Sequence, residues 1–188
     1  MLTGGVFKRA PPLGNHPILF EVTQNYCIMS PIEILGYRPE WRHYFEQFNR
    51  AWLEEYFSVE PIDRWVLENP EEAILKGGGA ILFARQKGQI IGAVALRYNE
   101  AGALELTKMA VDKPFRGRGA GKELCRAAIR KAAEMGAPKL ILYSQTRLPA
   151  AIALYRKMGF RDIPLEPGAY RRANIKMELE LEALRPSC

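Results

Sequence analysis

Leu104-Glu-Leu-Thr-Lys-Met-Ala-Val111, followed closely by Arg116-Gly-Arg-Gly-Ala-Gly121, is the stretch whose reading decides the fold. The first part is an apolar, strand-patterned run, and the second opens a segment with helical spacing. A strand that turns sharply into a helix presents several unpaired backbone N–H groups, and the helix dipole adds partial positive charge there. Glycine lets that backbone approach a phosphate closely. Gly117, Gly119 and Gly121 stand at alternate positions, with Lys113, Arg116, Arg118 and Lys122 around them, so the turn reads as a pyrophosphate seat. The plainer alternative is a glycine-rich solvent loop with ordinary surface charges.

Two familiar phosphate loops do not fit. The P-loop requires a glycine where Phe115 or Arg116 stands and a hydroxyl residue where Glu123 stands. The dinucleotide fingerprint runs from Gly119-x-Gly121 to Leu124, where its third glycine belongs.

Working outward, a length of 188 residues at 48% hydrophobic suits one well-cored domain. A net charge of +6 favours an anionic ligand, and the basic residues gather around 113 to 131 and at Arg171 and Arg172. Nucleic acid is the weaker partner because no recognised reader motif is present. Cys27, Cys125 and Cys188 are odd in number and far apart, which argues against a disulfide framework or metal cluster and suits a reducing cytoplasm. His16 and His43 are isolated, so zinc sites and histidine-dependent triads lose their main ingredient. No apolar run approaches a membrane span.

Residues 1–28 read as an N-terminal extension, Gly/Pro-rich to position 17 and then strand-like at Ile18-Leu-Phe-Glu-Val22. Met29 is expected as the true or ancestral start, with one domain over 29–185. Within it a strand is expected at 32–35, a helix from 39 to 57 with Phe45, Phe48, Trp52, Leu53 and Tyr56 on one face, and a second helix opened by Pro61 and ended near Pro70. Strands at 80–85, 90–98 and 104–111 form an antiparallel meander. The helix after the glycine turn carries Leu124, Cys125, Ala128, Ile129 and Ala132 inward, Arg126, Arg130 and Glu134 outward, and stops at Gly136. A strand at 139–143, a helix at 149–158 closed by Gly159, and strands at 160–163 and 173–181 complete an α/β (α+β) pattern: a mixed sheet with helices on its faces.

Arg-x-x-Gly-x-Gly at 116, 119 and 121, with a strand before it and Ala151-Ile-Ala-Leu-Tyr155-Arg-Lys-Met-Gly159-Phe160 after it, resembles the GNAT superfamily of acetyl-CoA-dependent N-acetyltransferases over about residues 30 to 180. The resemblance implies the acyl-CoA N-acyltransferase fold, in which two central parallel strands, here 104–111 and 139–145, splay apart to admit the cofactor. It implies acetyl-CoA as co-substrate without a metal, and a primary amine, small molecule or protein, as acceptor by direct attack. Nucleic acid and membrane are not expected as partners, and a homodimer is allowed. By the same resemblance the backbone of Met109, Ala110 and Val111, at a bulged strand end, holds the pantetheine arm and thioester, and the backbone of Arg116, Gly117, Arg118, Gly119, Ala120, Gly121 and Lys122 takes the pyrophosphate.

Glu105, eleven positions before Arg116, stands where histone-type members carry a general base. A partly buried carboxylate has its pKa raised toward neutrality and can take a proton from an ammonium. The alternative is an outward-facing residue on an alternating strand, with Glu105, Thr107 and Met109 sharing one face. Tyr155 stands where many members place a tyrosine near the cofactor sulfur, positioned to protonate the leaving thiolate; it also reads as a core aromatic, and both roles are compatible. Where many members carry an asparagine this chain has Leu148, and Gln145 is the nearest amide.

The acceptor side is expected at the first two helices and at Tyr170-Arg-Arg-Ala-Asn-Ile-Lys-Met177. Glu60 and Asp63 read either as an ammonium attractor or as a helix-capping pair, and Arg171 and Arg172 either as a carboxylate seat or as solvated surface groups. A non-catalytic CoA-binding sensor or scaffold is the competing function.

Overall fold

The computed structural model describes residues 30–99, 101–166 and 172–181. The strand expected at 18–22, and Cys27, Tyr170, Arg171 and Cys188, lie outside them. In chain order the elements are β1 (Glu33–Gly36), α1 (Arg42–Tyr56), α2 (Pro61–Glu68), β2 (Ala80–Gln86), β3 (Gln89–Tyr98), β4 (Leu104–Val111), α3 (Ala120–Glu134), β5 (Lys139–Ser144), α4 (Pro149–Lys157), β6 (Arg161–Ile163) and β7 (Ile175–Glu180). The strands form one sheet in the order β1-β2-β3-β4-β5-β7-β6.

Local chemistry explains most boundaries. Lys87 and Gly88 take φ of 50° and 78°, the left-handed pair that a two-residue hairpin needs to match the twist of β2 and β3. Gly136, at φ 78°, ends α3. The helix expected to end near Pro70 does so, but the chain then makes a further wide helical turn over Glu71–Leu75, which carries Ile74 into full burial. Pro70, at φ −64°, opens that turn, a position that suits its fixed ring.

The sheet is covered on both sides. On one side α3 and α4 pack through Leu124, Cys125, Ala128 and Tyr155 against Leu104, Leu106 and Leu140. On the other, α1 and α2 bury Phe45, Phe48, Leu53 and Val66 against Phe83 and three small residues, Ala93, Ala95 and Ala110. Close approach matters at one point in particular. A β-carbon at Gly92 would lie 2.9 Å from the Ala110 carbonyl oxygen and 3.1 Å from Leu124 Cδ1, so β3 meets α3 where only hydrogen fits.

Each strand pair among the described residues is antiparallel except β4 with β5. That parallel seam holds only Leu104↔Leu140 and Glu105↔Ile141. Beyond Glu105 the two strands part, β5 staying paired to β7 along its whole length and β4 to β3. The expected central splay is therefore present, and it opens toward the end of β4 that leads into the glycine turn.

Candidate active site

The open part of β4 contains a bulge. Ala95 pairs with Thr107 and Ala93 with Ala110, so Lys108 and Met109 both stand opposite Val94. Lys108 absorbs the extra residue with φ 50°, a left-handed conformation uncommon for a side chain of its size. The side-chain alternation then shifts. Thr107 and Lys108, consecutive in sequence, both reach the α2 side, and Met109 turns to the α3 side with Leu104 and Leu106. The expectation that Met109 shares a face with Glu105 and Thr107 is corrected by this bulge.

Lys108 meets α2 there. Its Nζ donates to Asp63 Oδ1 at 2.7 Å, and Arg172 donates to both oxygens of the same carboxylate at 2.6 and 2.9 Å. Asp63 also accepts the Glu60 backbone N–H at 3.1 Å, closing a capping box at the start of α2. Its carboxylate is almost fully buried. Burial works to raise the carboxyl, but the Arg172 and Lys108 hydrogen bonds outweigh it and hold the pKa down to about 2. Asp63 is thus the capping residue of the second reading, with a carboxylate already taken up by Lys108 and Arg172, and the reading of Arg172 as a solvated group is overturned. Arg172 donates to the Ser58 carbonyl at 2.9 Å and lies 5.8 Å from the Phe57 ring centre, tying the start of β7 to the α1–α2 turn.

Glu105 occupies the fork of the seam, since it belongs to the last parallel pair. It is 3% exposed, so it is not the outward-facing residue of the plainer reading. Arg97, its cross-strand neighbour on β3, brings Nη2 to 3.7 Å from Oε2. Arg97 also lines a cavity of about 50 Å³ with Glu60, Asp63, Thr107, Lys108 and Arg172. Sequence reasoning did not name Arg97 or Lys108 and had Thr107 only as an outward-facing strand residue; a bulge placed at Lys108 itself would have singled that residue out.

At the other end of the opening, Gly117 and Gly119 take φ of 76° and 92°, and Gly119 caps α3. No heavy atom lies within 4 Å of a β-carbon built at either one, so the turn is a cradle open on its outer side. The first amides of α3, at Ala120, Gly121 and Lys122, belong to the turn that has no intrahelical acceptor. Arg118 is exposed there, 5.9 Å from the Phe115 ring centre. The Arg116 side chain has a different employment from the one expected: Nε donates to the Val111 carbonyl at 3.0 Å and Nη1 to Glu55 Oε2 at 2.8 Å. It braces the end of β4 to α1. The hydrogen bond from Arg116 holds the exposed Glu55 carboxyl below its ordinary value.

Tyr155 sits on the α3 side, 8% exposed and 5.9 Å edge-on to Phe160. Burial raises its phenol well above the ordinary value, and neighbouring Cys125 adds to the rise; burial pushes the Cys125 thiol itself up to about 12. Beside it, Leu154 Cδ2 and Val111 Cγ2 each stand 3.9 Å from a β-carbon built at Gly121, so α4, β4 and the start of α3 converge at one point. The Gln145 amide oxygen accepts the Arg147 backbone N–H at 2.6 Å and so shapes the turn after β5. Asn174 exchanges hydrogen bonds with Thr146 at 2.9 Å across that turn. Among the described residues no group of three or more His, Cys, Asp or Glu side chains is placed to hold a metal ion, and no helix is long and apolar enough to cross a membrane.

A sheet forked at its parallel pair, with a glycine cradle and helix N-terminus at the open end, defines the acyl-CoA N-acyltransferase class of fold. The chain belongs to the acetyltransferase (GNAT) family, whose model matches residues 39–160. It is 30% identical over 149 residues to N-acetylaspartate synthetase of Homo sapiens, covering 77% of this chain and 46% of that protein. It is 34% identical over 115 residues to the N-acetyltransferase YjgM of Escherichia coli strain K12, covering 61% of this chain and 60% of that protein. The chain thus spans about half the length of the curated relatives it matches. Among solved structures it resembles a GNAT-family acetyltransferase from Staphylococcus aureus Mu50 with a TM-score of 0.70 at 24% identity, covering 81% of this chain and all (100%) of that one. It also resembles yncA of Salmonella typhimurium, solved with its cofactor acetyl-CoA, with a TM-score of 0.66 at 18% identity over 80% of this chain and 94% of the other. At those identities the two structures establish the fold.

Proposed function

We propose that this chain transfers the acetyl group of acetyl-CoA to a primary amine by direct attack. The observation that carries the reading is the seam: parallel pairing stops at Glu105↔Ile141 and leaves a gap between β4 and β5. The residues present fit the cofactor. The open cradle at Gly117 and Gly119, with the first amides of α3, suits a pyrophosphate; the β4 backbone at Met109, Ala110 and Val111, past the end of the seam, suits a pantetheine arm. Backbone from Arg116 to Lys122 completes that seat.

Acetyl-CoA, when bound, supplies a thioester carbonyl open to an amine. Glu105, buried at the fork, is the group that accepts the ammonium proton, directly or through a water, and Arg97 orients its carboxylate. Tyr155 is protonated at neutral pH, and its Oη is the group that returns a proton to the departing thiolate, a transfer that burial opposes by raising the phenol. The amine attacks the thioester directly, and Cys125, buried with its thiol pushed up to about 12, is not placed to serve as an acyl carrier. Cysteine usage favours a cytoplasmic setting for the reaction.

The acceptor is approached from the α1–α2 side, where Thr107 and Lys108 emerge. N-acetylaspartate synthetase among the relatives makes amino acids the first acceptors to assay. Calorimetric titration with acetyl-CoA, followed by thiol release across a panel of amines, tests the reading. Cofactor binding with turnover of at least one amine is expected. Binding without turnover of any amine would leave the CoA-binding sensor instead, and no binding at millimolar acetyl-CoA would remove both.

A further inference from the structure

We infer that Lys108 and Asp63 are positioning residues for the transfer step: their ion pair pins the extra residue of β4 at position 108, and so fixes which way the β4 backbone faces where it leaves β5. The inference rests on the acetyl-transfer reading and adds to that site a pair that acts from outside the reacting groups.

Register confines the bulge from both ends. Ala95↔Thr107 holds β4 on the Glu105 side, and Ala93↔Ala110 and Gly92↔Val111 hold it on the side of the glycine turn. Val94 is left opposite both Lys108 and Met109, and one of those two must absorb the extra residue. Backbone chemistry does not choose between them, since the left-handed region is costly for either. The side chains choose. With φ of 50° at Lys108, its ammonium reaches Asp63 Oδ1 at 2.7 Å and Met109 joins the apolar contacts of the α3 side. Unbroken alternation along β4 would instead send the ammonium to the face of Leu104 and Leu106, among apolar groups that cannot pair it. Asp63 is a firm anchor because it is itself fixed: it is buried, accepts two N–H groups from Arg172, and accepts the Glu60 backbone N–H. The strained residue of β4 is thus held from α2, through a side chain, and not by β4 itself.

The place of the bulge ties it to the rate. Glu105 is the last residue of β4 paired to β5, and Lys108 follows it on the open edge of the gap. The peptide between Lys108 and Met109 therefore lies between the base at Glu105 and the arm's path along Met109 to Val111. Rotating that peptide changes the donors and acceptors the strand offers to an acyl group there, and misplacement of this kind costs rate more than affinity. The diphosphate seat at Gly117 and Gly119 lies beyond the bulge and is built without it.

Lys108→Met keeps the side chain long and removes its charge. Asp63 retains Arg172 and the Glu60 N–H, so the variant should fold, with a melting temperature within about 4 °C of wild type. The nuclear Overhauser effect between the amide and α protons of residue 108, strong at positive φ and weak in an extended strand, should be strong in wild type and weaken in the variant. At saturating acetyl-CoA and amine, kcat should fall by about tenfold or more, while calorimetry gives a Kd for coenzyme A within about twofold of wild type. Lys108→Arg, whose cation still reaches Asp63, should recover most of the rate and the strong proton signal. A weak signal in wild type, a strong one surviving in Lys108→Met, or an unchanged kcat would overturn the inference. So would a rate loss matched by an equal loss of coenzyme A affinity, the mark of general loosening. Should Lys108→Met not fold, Lys108→Gln takes the same measurements with the same readings. Turnover of no amine by wild-type protein would sink acetyl transfer itself, and the proton signal would still decide whether the ion pair holds the bulge.

Discussion

Lys108 and Asp63, 45 residues apart in sequence, meet at 2.7 Å because a bulge gives β4 one residue more than its partner strand. Lys108 is thereby turned toward α2, and Asp63 becomes common ground for Lys108, Arg172 and its own helix cap. Removing its charge leaves two cations in a nearly dry site. Asp63→Asn is expected to destabilise the fold by about 3 kcal/mol, the usual cost of breaking a buried ion pair by losing one partner. Urea denaturation at pH 7 measures it, and a change below about 0.5 kcal/mol would show that the cluster contributes little.

The same carboxylate sets an acid limit. Its folded pKa is about 2, below the ordinary aspartate value near 3.9, so its contribution is present above pH 4 and is lost as pH falls from about 4 toward 2. The shift corresponds to on the order of 2 kcal/mol. Stability curves between pH 7 and pH 2 should show that loss in the wild-type protein and its absence in Asp63→Asn.

Glu105→Gln should lower kcat by about 10²- to 10³-fold, the range for loss of a general base, with acetyl-CoA affinity nearly unchanged. The residue lies at the fork rather than at the glycine cradle, so the two readouts are separable. An unchanged rate at saturating amine would remove Glu105 from the reaction.

Tyr155→Phe keeps the ring that packs on Phe160 and deletes only the hydroxyl. A melting temperature within a few degrees of wild type, together with a rate at least tenfold lower, is expected. Full activity would confine Tyr155 to packing.

Gly119→Ala and Gly121→Ala make an informative pair. Gly119 sits at φ 92°, so alanine there costs roughly 1 kcal/mol in backbone strain and narrows the cradle. Gly121 lies inside α3, where a β-carbon meets nothing closer than 3.9 Å, so alanine should raise stability by about 0.5–1 kcal/mol. Both should weaken acetyl-CoA binding, measured by calorimetry. A Gly121→Ala protein that is more stable and binds as before would show that the cofactor does not approach that backbone.

The strands, the α3 stripe and the glycine turn were legible in the sequence because each depends on local spacing: Leu124, Cys125, Ala128, Ile129 and Ala132 are buried as their period requires. The splay came from family resemblance, not from any pattern in β5. A bulged end of β4 likewise came from the resemblance, but its seat at Lys108 was not legible, since nothing local marks Lys108 as left-handed where a glycine or asparagine would have been the signal. Asp63 and Arg172, 109 residues apart, were each noticed, but their union depends on how the start of β7 folds over the α1–α2 turn. Arg97 was invisible for a related reason: its partner Glu105 lies on another strand, and cross-strand register cannot be counted from either residue alone.

The two-pair junction between β4 and β5 bears on how stable the folded chain is as well as on what it can bind. A sheet joined so narrowly has a mechanical gap, and any molecule lodged there props the halves apart at a fixed spacing and adds its own free energy to folding. At a hundredfold excess over its dissociation constant, such a guest contributes about 2.7 kcal/mol by mass action. On the proposed function the acyl donor is that guest, so the folded chain gains stability as the supply of its own co-substrate rises.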